Sequence, residues 1–376
     1  MYYIGVDLGT SAVKLLLMEA DGSIRNVVSK EYPLYFPHPG WSEQKPEDWW
    51  NAVVEGIQEL VPEETREKVA GMSFGGQMHG LVMLDENDEV IRPAILWNDG
   101  RTGKETNYLN EVIGKDKLSE YTANIAFAGF TAPKILWVKE NEPENFARIS
   151  KIMLPKDYLA YRLTGTFCTD VSDASGMLIF DVKNKCWSEE MLKICGIRKD
   201  QVAKIYESYE CVGTLKPEVA ALLKLPESVR VAAGAGDNAA AAVGTGTVGD
   251  GQCNISLGTS GTIFVSSEKF CVDSNNAHSC FCPREWQISS DGLYAQRRFL
   301  QQVVDGRDHW HEGLCRRAGE DHETWRKSCI FPSLSDGRAF SPQQSGCPRN
   351  LHWHEHGHHE SRHDPGCPGR CGFRHP

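Results

Sequence analysis

The chain has 376 residues, of which 40% are hydrophobic and 24% charged, a composition typical of a soluble protein of about two domains. Its formal net charge of −11 argues against nucleic acid or an anionic membrane as the main partner. No apolar run approaches the ~20 residues that a transmembrane helix needs. The N-terminus shows no basic region, long apolar stretch or cleavage site, so we expect a cytoplasmic protein.

Apolar runs and amphipathic helices alternate from residue 1 to about residue 277, which predicts an α/β protein. A helix is predicted over Pro46–Leu60, where Pro and acidic residues precede apolar side chains at helical spacing. Asp21-Gly22 is typical of a turn between two strands. The predicted strands are residues 2–6, 13–18, 69–74, 81–84 and 229–233, and the other predicted helices are 132–138, 157–163 and 219–223.

Two short segments of the chain nearly repeat each other. Residues 7–11 read Asp-Leu-Gly-Thr-Ser and residues 257–261 read Leu-Gly-Thr-Ser-Gly, each between two apolar runs. A glycine turn between strands directs N–H groups and hydroxyls at one point, which suits a phosphate. Either copy alone is more often a plain turn, but the pair indicates a duplicated architecture that holds one polyphosphate from both sides. The candidate phosphate-binding residues are Gly9, Thr10, Ser11, Lys14, Gly258, Thr259 and Ser260.

The strongest catalytic candidate follows another glycine turn. The predicted strand over residues 229–233 leads through Gly234-Ala235-Gly236 to Asp237 and a helix of small residues. A carboxylate at such a junction can accept the proton of a substrate hydroxyl as its oxygen attacks a phosphoryl group. The alternative is that Asp237 merely caps the helix. The two phosphate-type turns in the same chain favour the general base.

Three further groups of polar residues could belong to the same site. Asp7 ends a strand beside the first turn, where a carboxylate often holds Mg²⁺ through water, although a simple turn aspartate fits the spacing equally well. Gln77 and His79 follow two glycines and could contact a polyol, or lie in an ordinary loop. Residues 97–101 combine an aromatic ring, an amide, a carboxylate and a guanidinium, which suits sugar hydroxyls, or form a solvated turn.

Taken together, these motifs resemble the FGGY carbohydrate kinases, and within that family the kinases of D-xylulose. The resemblance covers about residues 1–277. The matching segments are residues 4–14, 41–44, 76–80, 93–101, 129–134, 154–159, 172–176, 236–240 and 256–261.

The resemblance implies an α/β fold of two actin-like, ribonuclease-H-like lobes around a cleft. It implies transfer of the ATP γ-phosphate, with Mg²⁺, to the 5-hydroxyl of D-xylulose, and a homodimer is compatible with it. Asp237 would be the general base, Asp7 would lie near the metal, and Thr10 and Thr259 would flank the phosphates. The implied sugar-binding residues are Met78, His79, Trp97, Asp99, Asp237 and Asn238.

Two alternatives to a D-xylulose kinase stay open. One is an FGGY kinase for another sugar, polyol or sugar acid, although the Met78-His79 pair favours xylulose. The other is a sugar-binding or metal-binding protein without enzymatic activity, which the late histidines and cysteines would suit.

The sequence changes character at about His278. Lysine nearly disappears, arginine is frequent, and all but two of the 13 histidines follow this point. No helix or strand period continues for more than a few residues. The histidine and cysteine spacing between residues 352 and 371 fits no ordered tetrahedral metal site well.

A frameshift accounts for this change. With synonymous codons, the +1 frame of residues 297–305, 337–349 and 363–375 can spell three segments that resemble the second lobe of the D-xylulose kinases, in the right order. We therefore expect a truncated and aberrant second lobe and little or no kinase activity in the chain as written. The predicted divisions are a first lobe over 1–245, the start of the second lobe over 246–277, and an out-of-frame, poorly ordered tail over 278–376.

Overall fold

The computed structural model describes residues 1–249, 251–257, 261–267, 270, 272, 279–280, 284–287 and 294–303. Three of the candidate phosphate-binding residues, Gly258, Thr259 and Ser260, lie outside the described residues. So does most of the predicted tail, including the late histidines between residues 352 and 375. The three predicted divisions of the chain therefore stay predictions.

Within the described residues the strands form six sheets, of seven, five and, in four cases, two strands. In chain order they are β1 (Tyr2–Leu8), β2 (Ala12–Glu19), β3 (Ile24–Glu31), β4 (Glu43–Gln44), β5 (Val69–Gly76), β6 (Val82–Leu84), β7 (Ala94–Ile95), β8 (Lys151–Met153), β9 (Cys168–Asp170), β10 (Phe180–Asp181), β11 (Cys186–Trp187), β12 (Lys204–Tyr206), β13 (Cys211–Thr214), β14 (Arg230–Ala232), β15 (Ala235–Gly236), β16 (Cys253–Leu257), β17 (Gly261–Ser267), β18 (Ser279–Cys280), β19 (Arg284–Gln287) and β20 (Tyr294–Val303).

The α-helices alternate with these strands. They are α1 (Pro46–Leu60), α2 (Gly103–Asn107), α3 (Lys115–Thr122), α4 (Thr131–Asn141), α5 (Pro143–Arg148), α6 (Pro155–Thr164), α7 (Val171–Ala174), α8 (Glu189–Cys195), α9 (Pro217–Leu223) and α10 (Asp237–Gly244). A π-helical segment, Tyr108–Gly114, joins α2 to α3. Within the described residues, no helix has the length and apolar character needed to cross a bilayer.

A seven-stranded mixed sheet is the centre of the first lobe. Its order is β13-β14-β5-β1-β2-β3, and β15 pairs with the end of β5. The first three strands form an antiparallel meander, whereas β5, β14 and β15 add in parallel. Every predicted strand and helix of this lobe is present, with shifts of a few residues at the ends, and the helix over Pro46–Leu60 has the predicted bounds.

Alternating burial along the first strand shows why the sheet needs its helices. Ile4, Val6 and Leu8 are buried on one face, and α1 packs Trp49 and Ile57 into the same hydrophobic cluster. Full burial of an aliphatic or aromatic side chain contributes about 1.5–3 kcal/mol, so this face holds α1 on the sheet. A second cluster, built around α4 and α8, supports the loops that follow β5 and β7.

Three parallel strands end side by side at one edge of the sheet. Asp7 of β1 lies opposite Gly75 of β5, which lies opposite Ala235 of β15. Ligands of open α/β sheets bind beyond the carboxyl ends of the strands. The topology therefore brings Asp7, the loop after Gly76 and the start of α10 to one place.

The late repeat of the first hairpin is also a pair of strands. β16 and β17 are antiparallel, with Cys253 opposite Val265 and Leu257 opposite Gly261. This confirms the predicted strands on both sides of the second glycine turn. The turn itself, over residues 258–260, belongs to the part of the chain that the structure does not describe.

Candidate functional site

Asp237 is the first residue of α10, directly after β15. The N-cap position is occupied by Gly236, with no side-chain cap, so Asp237 does not take the capping role that was its alternative. Its Oδ1 atom accepts hydrogen bonds from the backbone N–H of Asn238 at 2.7 Å and from Asn238 Nδ2 at 3.0 Å. The carboxylate is half-buried at the sheet edge, with Asn238 orienting one of its oxygens.

The surroundings of Asp237 favour its protonated form. Burial is the main cause, the negative charge of Asp7 adds to it, and the hydrogen bond from Asn238 opposes them; together they raise the pKa of Asp237 to about 7. A general base works best when its pKa is near the operating pH. The electrostatics therefore suit the chemistry that the sequence predicts for this residue.

Asp7 stands at the end of β1 and still contacts solvent. It lies opposite Lys14 of β2 in the antiparallel register, and the charge of Lys14 lowers its pKa, whereas the larger effect of partial burial raises it. Within the described residues, no group of three or more His, Cys, Asp or Glu side chains could hold a metal ion. Mg²⁺ is usually held by one or two carboxylates together with water and substrate phosphates, and Asp7 fits that role.

The first hairpin turn is tight and fixed on both sides. Gly9 N–H donates to the carbonyl oxygen of Ala12 at 3.1 Å. The Thr10 hydroxyl accepts a hydrogen bond from Trp97 Nε1 at 2.9 Å, and the Thr10 carbonyl accepts one from Gln44 Nε2 at 2.6 Å. A residue predicted for the phosphates thus contacts one predicted for the sugar. Ser11 of the same turn is exposed.

Met78 is buried against the turn that carries Asp237. A Cβ atom added to Gly236 would lie 2.9 Å from Met78 Sδ, so only glycine allows this approach. Asn238 Nδ2 lies 3.8 Å from the same sulfur. The structure therefore brings Met78, Asp237 and Asn238 together, as expected for residues of one site.

His79 adopts a left-handed backbone conformation, with φ of 67°. Its Nδ1 atom lies 2.9 Å from the carbonyl oxygen of Gly176, and its ring packs against Phe130 with centroids 4.7 Å apart. Burial, followed by the charge of Lys134, lowers the pKa of His79 to about 3. The imidazole is therefore neutral at physiological pH and can exchange hydrogen bonds without carrying charge.

Asp99 is less exposed to solvent than the other predicted sugar-binding residues, with 2% of its surface accessible. Its Oδ2 accepts hydrogen bonds from the backbone N–H of Ser42 at 2.6 Å and from the guanidinium of Arg101 at 2.7 Å. The pair holds the loop after β7, and Arg101 also lies 3.7 Å from the ring centroid of Trp41. A direct contact of Asp99 with the sugar stays a prediction.

The sequence reading missed a buried ionic cluster under the site. The ammonium of Lys156 lies 2.7 Å from Asp157 and 2.9 Å from Asp170, and Asp173 is 3.8 Å away. Ser172 Oγ donates to Asp170 and accepts the backbone N–H of Gly236 at 3.1 Å. The cluster is thus tied to the residue before Asp237. Lys156, Asp157, Ser172 and Asp173 belong to matching segments 154–159 and 172–176, and Asp170 lies just before the second, but nothing in their local spacing indicates that they meet.

A family model described as the N-terminal domain of the FGGY family of carbohydrate kinases matches residues 2–244. The chain belongs to this family. The resemblance inferred from the motifs is therefore confirmed.

Among curated relatives, the xylulose kinase of Escherichia coli K12 is 44% identical over 296 residues, which are 78% of this chain and 60% of that protein. The chain thus spans about 60% of the length of such relatives. Among solved structures, a "xyloylose kinase" from Brucella ovis has a TM-score of 0.76 and 37% identity, and a ligand-bound xylulose kinase from Lactobacillus acidophilus has 0.74 and 25%. Each comparison covers 90% of this chain and 68% of the other.

These structural matches confirm the predicted fold class, the α/β actin-like fold of sugar kinases. The FGGY kinases use ATP as phosphate donor, and a phosphate-binding role of the hairpin at Gly9 to Ser11 stays a prediction. The individual roles of the site residues are not tested by these matches and stay predictions.

Proposed function

We propose that this chain carries the sugar-binding and base-bearing lobe of a kinase that transfers the ATP γ-phosphate to the 5-hydroxyl of D-xylulose. The observation that supports this most is the placement of Asp237, with its pKa raised to about 7, at the shared edge of three parallel strands beside Asp7. The xylulose kinases among its relatives support the choice of sugar.

In this proposal Asp237 accepts the proton of the attacking hydroxyl. Asn238 holds one carboxylate oxygen, so the other approaches the sugar. Deprotonation as the oxygen attacks raises the nucleophilicity of the hydroxyl, and a base with a pKa near 7 is in the correct state in a large fraction of molecules at neutral pH. Met78 and His79 would close the side of the pocket next to Asn238.

Bound ATP and Mg²⁺ would supply the phosphoryl group and neutralise its developing charge. In this proposal Asp7 holds the metal through its carboxylate, and the turn at Gly9, Thr10 and Ser11, with Lys14, lies against the phosphates. Gly258, Thr259 and Ser260 would contact them from the second lobe. The site at Asp7 offers one oxygen donor group rather than a closed cage, which suits a metal shared with a nucleotide.

We also propose that the protein acts in the cytoplasm, without a nucleic-acid or membrane partner, and that a homodimer is one assembly open to it. A kinase for another polyol or a sugar acid stays an alternative. The described residues give no support to a metal-binding protein, and the late histidines that suggested one are better explained by the frameshift that we infer at about codon 278.

The proposed activity is tested on a gene in which the second-lobe reading frame has been restored. We expect ATP-dependent phosphorylation of D-xylulose, measured by coupled ADP release, with slower turnover on other ketoses, polyols and sugar acids. Asp237→Asn should lower kcat by about 10³-fold, since general-base catalysis contributes about 10²–10⁴-fold.

The matched control is Asp200→Asn, an exposed aspartate whose carboxylate forms an ion pair with Arg198, two residues earlier in the chain. It should leave kcat within about twofold, as expected for a surface substitution. Full activity in the Asp237 variant would remove this residue from the base role. Preference for a sugar acid or polyol in the panel would replace D-xylulose as the substrate.

A further inference from the structure

Lys134 is a fully buried lysine on the first turn of α4. Its Nζ donates hydrogen bonds to two backbone carbonyls, His79 O at 2.8 Å and Gly129 O at 2.7 Å. Lysine is rarely buried without such partners because its charge is costly to remove from water. Burial holds the pKa of Lys134 well below its usual range, whereas nearby Asp99 raises it. Both the amine and the ammonium can donate to two carbonyls.

One of the two carbonyls belongs to a residue in an unfavourable conformation. His79 has φ of 67°, a region that non-glycine residues seldom occupy and that the surroundings must enforce. Its carbonyl accepts a second hydrogen bond from Thr131 Oγ1 at 3.1 Å. Two donors from the start of α4 therefore fix the peptide between His79 and Gly80, and so fix the direction of the Met78-His79 loop.

The other carbonyl belongs to Gly129, in the segment just before α4, and this segment contacts the loop at residues 97–101. A Cβ atom added to Gly129 would lie 2.6 Å from the carbonyl oxygen of Trp97, so the two backbones are in close contact. Trp97 in turn reaches Thr10 of the first hairpin through its indole N–H, at 2.9 Å. Through Gly129, a single amine is thus connected to the loop at residues 97–101 as well as to the loop at residues 76–80.

We propose that Lys134 is a positioning residue that fastens these two loops together and holds the sugar pocket in shape before the substrate arrives. A preformed pocket binds more tightly because little ordering is left to occur on binding. The sugar part of this inference rests on the proposed function, whereas the fastening of the two loops does not.

The test uses Lys134→Met in the chain as written, since methionine has a similar length and no donor. Hydrogen–deuterium exchange of peptides over residues 76–80 and 97–101 should become at least about tenfold faster in the free protein, because local opening is easier. The Kd for D-xylulose, measured by titration calorimetry, should rise about tenfold or more, because the Gly129 carbonyl loses its lysine donor and the His79 carbonyl loses one of its two donors. A general loss of packing would instead accelerate exchange in the central sheet too.

The control is Lys139→Met on the same helix, where the side chain is exposed, and it should change neither loop. A milder variant, Thr131→Val, removes only the hydroxyl donor to His79. It should accelerate exchange at residues 76–80 and leave exchange at residues 97–101 unchanged. If Lys134→Met does not fold, this variant alone tests whether donors from α4 hold the loop at residues 76–80. Unchanged exchange in both loops would overturn the proposal. If the unsubstituted chain does not bind D-xylulose, the proposed function fails while the exchange results still decide the role of Lys134.

Discussion

Asp237 shows at the level of one residue how a catalytic requirement conflicts with stability. Its pKa rises from 3.8 to about 7 on folding, so between these pH values the folded state keeps a proton that the unfolded state has lost. The free energy of unfolding therefore falls as pH rises through this window and is lowest above pH 7. Because one pKa unit corresponds to about 1.4 kcal/mol, the full shift would change the free energy of unfolding by about 4 kcal/mol. Solvent screens the charge of this half-buried group, so we expect a change of about 1–2 kcal/mol.

Asp237→Asn should therefore be more stable than the unsubstituted chain at pH 8 and nearly equal to it at pH 4. Urea unfolding followed by tryptophan fluorescence, in buffer with EDTA, measures the difference at each pH. Asp200→Asn serves again as control, since the pKa of Asp200 is lowered by its hydrogen bond from Arg198. A constant difference between the Asp237 variant and the parent across pH 4–8 would contradict the assignment.

Residues differ in how far the sequence can predict them. Asp237 was identifiable because a strand, a glycine turn and a helix of small residues place one carboxylate at a strand end. Lys134 and Lys156 were not, because a lysine on a helix is normally a surface residue and their burial comes from partners far along the chain. Asp99 had the right chemistry for a sugar, but its long-range hydrogen bond from Ser42 was not visible in the sequence.

At the scale of elements, the glycines at the strand ends decide how closely segments approach. A Cβ atom on Gly176 would lie 2.3 Å from the His79 ring, so this short helical segment can lie against the histidine only without a side chain. The motif at residues 172–176 was visible in the sequence, whereas the reason for its glycine depends on a residue 97 positions earlier.

Gly176→Ala should displace the His79 ring and lower the free energy of unfolding by about 1–3 kcal/mol, the usual cost of overpacking. It should also weaken D-xylulose binding, because the imidazole loses its hydrogen bond to the Gly176 carbonyl. Thermal unfolding and titration calorimetry measure the two effects. Gly103→Ala is the matched control, since an added Cβ there meets no atom within 4 Å. Equal unfolding free energies and equal D-xylulose affinities in the two variants would show that neither property depends on the close contact between Gly176 and the His79 ring.

At the scale of the whole molecule, local patterns predicted the strands and helices within residues 2–244 well, and the family model matches the same range. The periodicity of apolar residues was sufficient to predict these elements because an element that buries one face on the central sheet, as α1 does, repeats its apolar residues at a regular spacing. Local spacing did not predict two details of the fold. These are the pairing of β15 with the distant strand β5 and the π-helical segment Tyr108–Gly114.

The distribution of the site over two lobes leads to the last prediction. The proposed sugar contacts Met78, His79 and Asp237 lie within residues 2–244, whereas Gly258 to Ser260 and the inferred out-of-frame segment would be needed to hold the nucleotide. Phosphoryl transfer requires both reactants in line, and a misplacement of about 1 Å can cost about 10²-fold in rate. The chain as written should therefore bind D-xylulose in calorimetry, while its ATP-dependent phosphorylation should be at least about 10³-fold slower than that of the frame-restored protein. Equal rates for the two proteins would show that residues 278–376 complete a working second lobe after all.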